Sequence, residues 1–293
     1  MIFNERKTCE VCSSQSSKKL VELPYESKEL ETFLVKYYEN RIPTSLLAGQ
    51  KMILNQCQDC GFVWQVHTLT EKYATELYSA WIDPAKSLEK SLNHNRNYYK
   101  SLLDDVFFVS TLFDKKPKQI KVLDFGLGWG NWSSAAISMG MDVFGFELSA
   151  EKIEYTRKKG IKVISDLNEY ESYFDYVHAE QVLEHLDHPF EAMTVIEKIV
   201  KPGGLIRISV PNFPNYSINN ESYKAKHDAL HPLEHINTFQ KKNLHLMAKR
   251  LKLEKMGFSQ FLKNLMKNPK YCSLFFRKYM GAQLSNSILL KKN

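Results

Sequence analysis

The sequence predicts a doubly wound α/β fold with a mostly parallel sheet, preceded by a small segment built around paired cysteines. Three observations predict it. From Gln119 onward, short apolar runs alternate with helical stretches, the signature of parallel strands joined by crossover helices. A glycine-rich turn follows the first of those runs. Two C-x-x-C pairs lie upstream of this alternation.

The cysteine pairs are Cys9 with Cys12 and Cys57 with Cys60. Met1 to Glu10 carries no apolar signal core, so the expected compartment is a reducing cytosol. There, such pairs read as zinc ligands rather than disulfides. Two intervening residues let one tight turn aim both thiolates at one metal, and two such turns complete a closed tetrahedral site. A closed site leaves no position for water or substrate, so the expected zinc is structural. Gly61 directly after Cys60 suits the backbone of a knuckle. The stretch between Cys12 and Cys57 is long and must form an insertion punctuated by Pro24 and Pro43. The competing reading, unrelated thiols or one redox pair, explains the paired spacing less well. Cys272 is left over and reads as a buried apolar side chain.

Next in order, Thr70 reads as an N-cap and Pro84 as an interruption. A long helix is predicted over about 87–113, with Leu102, Leu103, Val106, Phe107, Val109 and Phe113 as its apolar stripe. The strands that follow are Ile120–Asp124, Asp142–Glu147, Ile161–Ile164, Phe174–His178 and Leu205–Val210, the last entered through Lys201-Pro202-Gly203-Gly204. Helices are predicted over 132–139, 151–159 and 189–200. The expected division is a zinc-binding segment over 1–70, a helical connector over 71–115, a core over 116–258 and a basic C-terminal segment over 259–293.

Ligands of such folds bind at the C-terminal ends of the strands, so those ends carry the candidate residues. The first strand runs into Asp124-Phe125-Gly126-Leu127-Gly128-Trp129-Gly130, where three glycines let the backbone approach a ligand. The G-x-G-x-G spacing departs from the dinucleotide fingerprint G-x-G-x-x-G, which disfavours a nicotinamide oxidoreductase. Glu147 ends the second strand, where a carboxylate can accept from both hydroxyls of a ribose. Asp166 follows the third, where an acid can meet an adenine amine. Glu180, Leu183, Glu184 and His185 follow the fourth. Taken singly each has a bland reading as a solvated acid or structural hydrogen-bonder; their order along the chain is the signal.

With these residues the chain resembles the class I S-adenosylmethionine-dependent methyltransferases. The matching segments are VLDFGLGWG (122–130), GFELS (145–149), FDYVHAEQVLEHLDHP (174–189) and KPGGLIRISVPN (201–212). The resemblance covers about 119–258 and implies a Rossmann-like methyltransferase sheet. It implies that Asp124, Gly126, Gly128 and Gly130 shape the cofactor pocket. It further implies Glu147 on the ribose, Asp166 near adenine, and Glu180 with Gln181 beside the methionine part. Leu127 replaces a usually small residue, and Phe125 is bulkier than the common Ile or Val. The paired knuckles ahead of this core also resemble bacterial methyltransferases acting on deoxysugars, including nucleotide-linked sugars. Their substrate loop carries a Glu-His pair before an aromatic residue, matched by His231-Pro232-Leu233-Glu234-His235-Ile236-Asn237-Thr238-Phe239. Pro232 and Thr238 stand where an aromatic residue is often seen.

Methyl transfer to an oxygen, nitrogen or activated carbon requires removal of a proton, and histidine suits that task near neutral pH. His235 is the first candidate for general base, with Glu234 orienting it or binding acceptor hydroxyls, and His231 is the second. The competing reading of His235 is a hinge residue that packs the loop. His185 and His178 read as structural. The segment Pro211–Glu234, with Tyr216 and Tyr223, reads as a cover over the acceptor.

Charge narrows the partners. The chain has 293 residues and a formal charge of +7. Residues 1–254 carry 32 basic and 33 acidic side chains, so the whole surplus lies after Glu254. A balanced body argues against a surface devoted to nucleic acid. The exocyclic-amine methylases of nucleic acids also show an Asn/Asp-Pro-Pro-aromatic motif where this chain has His178-Ala179-Glu180-Gln181. A nucleic-acid methyltransferase or RNA-binding protein using the zinc segment and tail is therefore the alternative to a small-molecule methyltransferase. In the tail, Phe258, Phe261, Leu262, Leu265 and Met266 share a helical face opposite Lys263 and Lys267. The expected role of 259–268 is a helical link between two last strands, Leu251–Phe258 and Tyr271–Arg277, its lysines facing solvent or an anionic acceptor such as a sugar nucleotide. Docking on a membrane surface is the less favoured reading.

Overall fold

The computed structural model describes residues 1–213, 218–226, 228–257, 266, 270, 273–274, 276–278 and 285–293. The chain forms two compact units that interleave along the sequence. The first takes Met1–Ser87, Leu183–Phe190 and Pro211–Met247; the second takes Leu88–Val182, Glu191–Val210 and Ala248–Asn293.

In the second unit seven strands form one sheet. Their spatial order is Glu254–Lys255, Ser287–Lys291, Val200–Ser209, Phe174–Glu180, Lys121–Phe125, Asp142–Phe146 and Lys162–Ile164. The five strands between Lys121 and Ser209 pair in parallel, as the alternation predicts. Ser287–Lys291 runs antiparallel to Val200–Ser209, and Glu254–Lys255 pairs antiparallel with it. The strand order reverses at Lys121–Phe125, which sets the ligand end of the sheet at its C-terminus. Val122, Ile120, Tyr176, Trp132 and Val106 close the core over one face and are buried.

Three expectations change in this unit. The last strand is Ser287–Lys291, whereas Ser273, Leu274, Phe276 and Arg277, the described residues inside the expected strand Tyr271–Arg277, are helical. The long helix is two, Pro84–Leu92 and Arg96–Thr111. Asn95 breaks it, because its side chain accepts from the Tyr98 N–H and caps the second helix. The fifth strand begins earlier, at Val200, with a register shift before Leu205, and the Gly203 N–H donates to the Lys292 carbonyl there. Of the expected tail stripe, Met266 is 79% exposed; Phe258, Phe261, Leu262, Leu265, Lys263, Lys267 and Cys272 lie outside the described residues.

Part of the basic tail is paired at home. Arg277 donates to Asp104, Lys278 to Asp105, and Lys292 to the Glu197 carbonyl. Asp105 is 6% exposed and also meets Arg207 and the Trp132 indole N–H. Replacing Asp105 with alanine leaves Arg207 and Lys278 without their shared carboxylate. The expected cost is about 3–5 kcal/mol, read as a lowered midpoint in denaturant unfolding.

The first unit carries a four-stranded antiparallel sheet in the order Asn237–Thr238, Val63–Gln65, Lys51–Cys57, Ser17–Pro24. Phe3–Glu5 and His67–Leu69 form a separate pair. The stretch between the knuckles is an excursion of strand, helix Lys28–Tyr37, short helix Thr44–Leu47 and returning strand. Leu30, Leu34, Tyr38, Met52, Leu54 and Tyr223 are buried in its core. Tyr223, expected on a cover over the acceptor, is thus a core residue whose hydroxyl donates to the Leu230 carbonyl. Tyr216 lies outside the described residues. Thr70 flanks the helix Glu71–Glu76 as expected, but its side chain makes no capping bond. Among the described residues no helix is long and apolar enough to cross a membrane.

Candidate functional site

In the second unit the acids expected on a cofactor sit at or just past the C-terminal ends of four parallel strands. Asp124 is buried and accepts from the Ser133 hydroxyl at 2.7 Å, while burial pushes its carboxyl up. It anchors the first turn of the helix Asn131–Ser138 beneath the glycine loop. The loop itself requires its glycines. Gly126 has φ +75°, and a Cβ there would fall 2.5 Å from Val182 Cγ2. Gly130 has φ +73°, and a Cβ there would fall 2.7 Å from Ile161 Cδ1. Both place the backbone in the left-handed region against packed side chains, so larger residues are excluded twice.

Glu147 is held by backbone N–H groups. Its Oε2 accepts from the Gly128 N–H at 3.0 Å, and its Oε1 from the N–H groups of Leu148 and Ser149 at 2.9 and 3.0 Å. Three of about four acceptor positions on the carboxylate are therefore filled. A ribose diol would take the remaining position and displace one local bond. Asp166 uses Oδ1 to cap the turn Leu167–Tyr170, accepting from Asn168, and is exposed. Glu180 is half-exposed; the His178 Nε2 lies 3.3 Å from its Oε2, and that hydrogen bond holds the carboxyl below its ordinary range. His178 is buried and its ring stacks on Trp132 at 4.3 Å. Gln181 is exposed with φ +55°, a strained position for a residue with a side chain.

Leu127 and Phe125, the two departures from the usual loop, pack inward. Leu127 is 5% exposed and fills space left by Gly145, where a Cβ would fall 2.5 Å from its Cδ2. Phe125 stacks on Phe146. Leu148 was missed by sequence reasoning. It follows Glu147 and is 80% exposed, an apolar side chain beside a carboxylate that could grip a ribose.

In the first unit the three residues expected on the acceptor come together with others from distant sequence. His231 and Glu234 are buried, and the His231 and His235 rings stack at 5.1 Å. The turn that carries them is strained at Leu233, with φ +70°. Gln65 Nε2 donates to the carbonyls of both His231 and His235, which fixes the turn. Tyr38, from the end of the inter-knuckle helix, donates its hydroxyl to Glu234 Oε1 at 3.0 Å. Burial, and then the Glu234 charge, push the Tyr38 phenol up, so it remains a donor. His185 lies edge-on to His235 at 4.7 Å, with its Nδ1 3.0 Å from the Glu234 carbonyl and 3.2 Å from the Tyr78 hydroxyl. Arg6 is buried and ties the segments together, donating to the carbonyls of Gln65, Ile236 and Asp187 and to Asn237 Oδ1. Burial lowers its pKa to about 10. Tyr38, Gln65, Tyr78 and Arg6 carried no sequence signal for this role.

The four knuckle cysteines also converge. Ser17 pairs with Cys57 across the sheet, which returns the second knuckle to the first. Cys9 Sγ lies 3.6 Å from Cys60 Sγ, and Cys12 Sγ lies 3.5 Å from Cys57 Sγ. All four sulfurs fall within 4.8 Å of one another. Zinc–sulfur bonds of about 2.3 Å place tetrahedral sulfurs about 3.8 Å apart, so the donor set fits that ion. The hydrogen bond from Cys9 holds the Cys60 thiol down at about 5, and the same bond with burial pushes Cys9 up. Gly61, at φ +74°, closes the second knuckle, and the Asn243 side chain donates to the Cys60 carbonyl.

Comparison with known proteins matches a family described as "Methyltransferase domain" to residues 93–255. The curated "Ubiquinone biosynthesis O-methyltransferase" of Proteus mirabilis (strain HI4320) is 34% identical over 103 residues, 31% of this chain and 42% of the relative. The protein of the same name from Shewanella sp. (strain ANA-3) is 29% identical over 103 residues, 31% of this chain and 44% of the relative. The matched stretch thus spans less than half the length of these relatives. Among solved structures, a SAM-dependent methyltransferase from Archaeoglobus fulgidus is 18% identical, with a TM-score of 0.48, covering 72% of this chain and 100% of its own. The matched family spans more than half of the sequence and contains the glycine loop, Glu147, Asp166 and Glu180; the chain belongs to the methyltransferase-domain family.

Proposed function

We propose that the protein transfers a methyl group from S-adenosylmethionine to a small-molecule acceptor, a nucleotide-linked or glycan sugar. The observation that carries this reading is the fixed Glu147 carboxylate, tied to the glycine loop through the Gly128 N–H. The cofactor supplies an electrophilic methyl on a sulfonium. The residues supply the rest. Glu147 accepts from the ribose hydroxyls, Leu148 packs on the adenine ring, and Asp166 meets its amine through the oxygen not used for capping. Glu180 and Gln181 hold the methionine part, with Asp124 and the three loop glycines shaping the pocket. His235 takes the proton from the acceptor, Glu234 orients the acceptor hydroxyls, and His231 extends the same ring stack. A bound sulfonium would give up its methyl with the bonding electron pair left on sulfur, so these residues would need only to align the acceptor and take its proton. The relatives' names, which specify O-methylation of a small molecule, support the acceptor class without fixing the sugar.

In this reading Cys9, Cys12, Cys57 and Cys60 hold Zn2+ with all four positions filled, so the metal fixes the fold of the first unit. Acceptor choice is tested by incubating the protein with methyl-labelled cofactor and a panel of nucleotide sugars, phenols and RNA. Label is expected in a nucleotide sugar; label only in RNA would overturn the reading.

Two variants test the cofactor half. Glu147→Ala removes charge-assisted hydrogen bonds worth about 1.5–3 kcal/mol each, so affinity for the cofactor should fall by more than about tenfold in calorimetry. His178→Phe keeps the ring stacked on Trp132 and removes the donor to Glu180. It should weaken cofactor binding by a few-fold to about tenfold, and His178→Gln, which keeps a donor, should recover part of that loss. Equal affinity in the phenylalanine variant would show that His178 serves only packing.

A further inference from the structure

We propose that Glu184, His185 and His235 form a second metal site, for a borderline divalent transition-metal cation such as Zn2+, Co2+ or Ni2+. One ligand atom from each of the three lies within 4.8 Å of the other two. The set has two imidazoles and one carboxylate, a donor mix that suits these ions and not the oxygen-only preference of Ca2+ or Mg2+. It also differs from the four-thiolate set of the knuckles by leaving coordination positions open.

His185 is oriented for the task. Its Nδ1 lies 3.0 Å from the Glu234 carbonyl oxygen. A carbonyl only accepts, so the contact assigns a proton to Nδ1, toward which the Tyr78 hydroxyl at 3.2 Å then turns an oxygen lone pair, and in the neutral ring Nε2 carries the lone pair. That Nε2 faces Glu184, 3.9 Å from its Oε1. Anchoring one ring nitrogen to a backbone carbonyl while the other faces a carboxylate is the arrangement of a metal-bound imidazole. Glu184 is 1% exposed, so its carboxylate lies away from solvent on the side of the His185 Nε2.

The frame is fixed on both sides. Gln65 holds the backbone of His235. Asn237 donates to the carbonyls of Leu183 and Leu186, which bracket Glu184 and His185. Metal bonds of about 2.0–2.2 Å bring ligand atoms to about 3–3.5 Å of one another. Side-chain rotations of about 1 Å close the present separations to that range, with the backbone held still.

Occupancy has a consequence that rests on the functional reading above. A metal on His235 takes the lone pair that would accept the proton of the acceptor. Metal binding and proton removal are then mutually exclusive, and the cation is a reversible inhibitor.

Equilibrium dialysis against Co2+ tests the site, using the full chain with its cysteine-bound metal retained. One further equivalent should bind and give ligand-field bands in the visible without thiolate charge transfer. His185→Gln and Glu184→Gln should each weaken that equivalent more than about tenfold, while the cysteine-bound metal content and thermal midpoint confirm folding. No further equivalent, an equivalent retained in both variants, or thiolate charge transfer would overturn the site. Methyl transfer by the wild type should fall in step with Co2+ occupancy; a bound equivalent with unchanged turnover would overturn the competition. Absence of transfer before any Co2+ is added would instead count against the functional reading, leaving the dialysis result intact.

Discussion

Replacing His235 with alanine is expected to lower turnover by about 10²–10⁴-fold while leaving cofactor affinity within about twofold of the wild type. The asymmetry follows from where the residue sits. His235 stacks on His231 and meets His185 edge-on, and its own unit contains none of the acids expected on the cofactor. Its removal takes away the proposed proton acceptor and none of the acids expected on the cofactor. Single-turnover kinetics beside calorimetry would check this. Turnover equal to wild type would leave His235 as a packing residue of the turn fixed by Gln65. Glu147→Ala should show the reverse pattern, with affinity lost first.

Replacing Cys57 with serine is expected to abolish the proposed zinc site and unfold the first unit. Structural zinc sites contribute on the order of 10–16 kcal/mol of apparent binding free energy, comparable to the whole stability of a domain. Cys57 is 1% exposed and ends the strand paired with Ser17, so its loss strikes ligand set and sheet together. Metal content and circular dichroism should fall together in the variant, and a chelator should do the same to the wild type. Full metal content with a native spectrum would mean that the four thiols do not share an ion. Tyr38 links this site to the histidines: it follows the inter-knuckle helix and donates to Glu234. Metal loss should therefore also lower turnover.

Local chemistry made some of this legible and not the rest. The parallel strands were readable because each is a short apolar run, four of the five are entered or left through glycine, and acids sit at or just past the ends of the first four. The knuckles were readable because thiol pairing at that spacing has few other uses. The last strand was misplaced because Tyr271–Arg277 and Ser287–Lys291 are both short and apolar, and only pairing with Val200–Ser209 decides between them. The helix break at Asn95 depends on one side chain capping a backbone N–H, a choice that apolar periodicity does not register. The histidine cluster shows the larger gap. His231, Glu234 and His235 are neighbours in sequence, whereas Arg6, Tyr38, Gln65 and His185, which fix or join their turn, lie 46 to 229 residues away from them along the chain. Contacts over such separations leave no periodic trace. The interleaving of the two units, with Leu183–Phe190 and Pro211–Met247 returning to the first, is equally invisible in one dimension.

The central claim is that the strand ends around Glu147 bind S-adenosylmethionine. Its most direct test is isothermal titration of the full chain with S-adenosylhomocysteine, the demethylated product, beside NAD as control. One equivalent of S-adenosylhomocysteine should bind, binding should weaken sharply in Glu147→Ala, and NAD should give no heat. Binding of NAD in place of S-adenosylhomocysteine, or binding unchanged in Glu147→Ala, would contradict it.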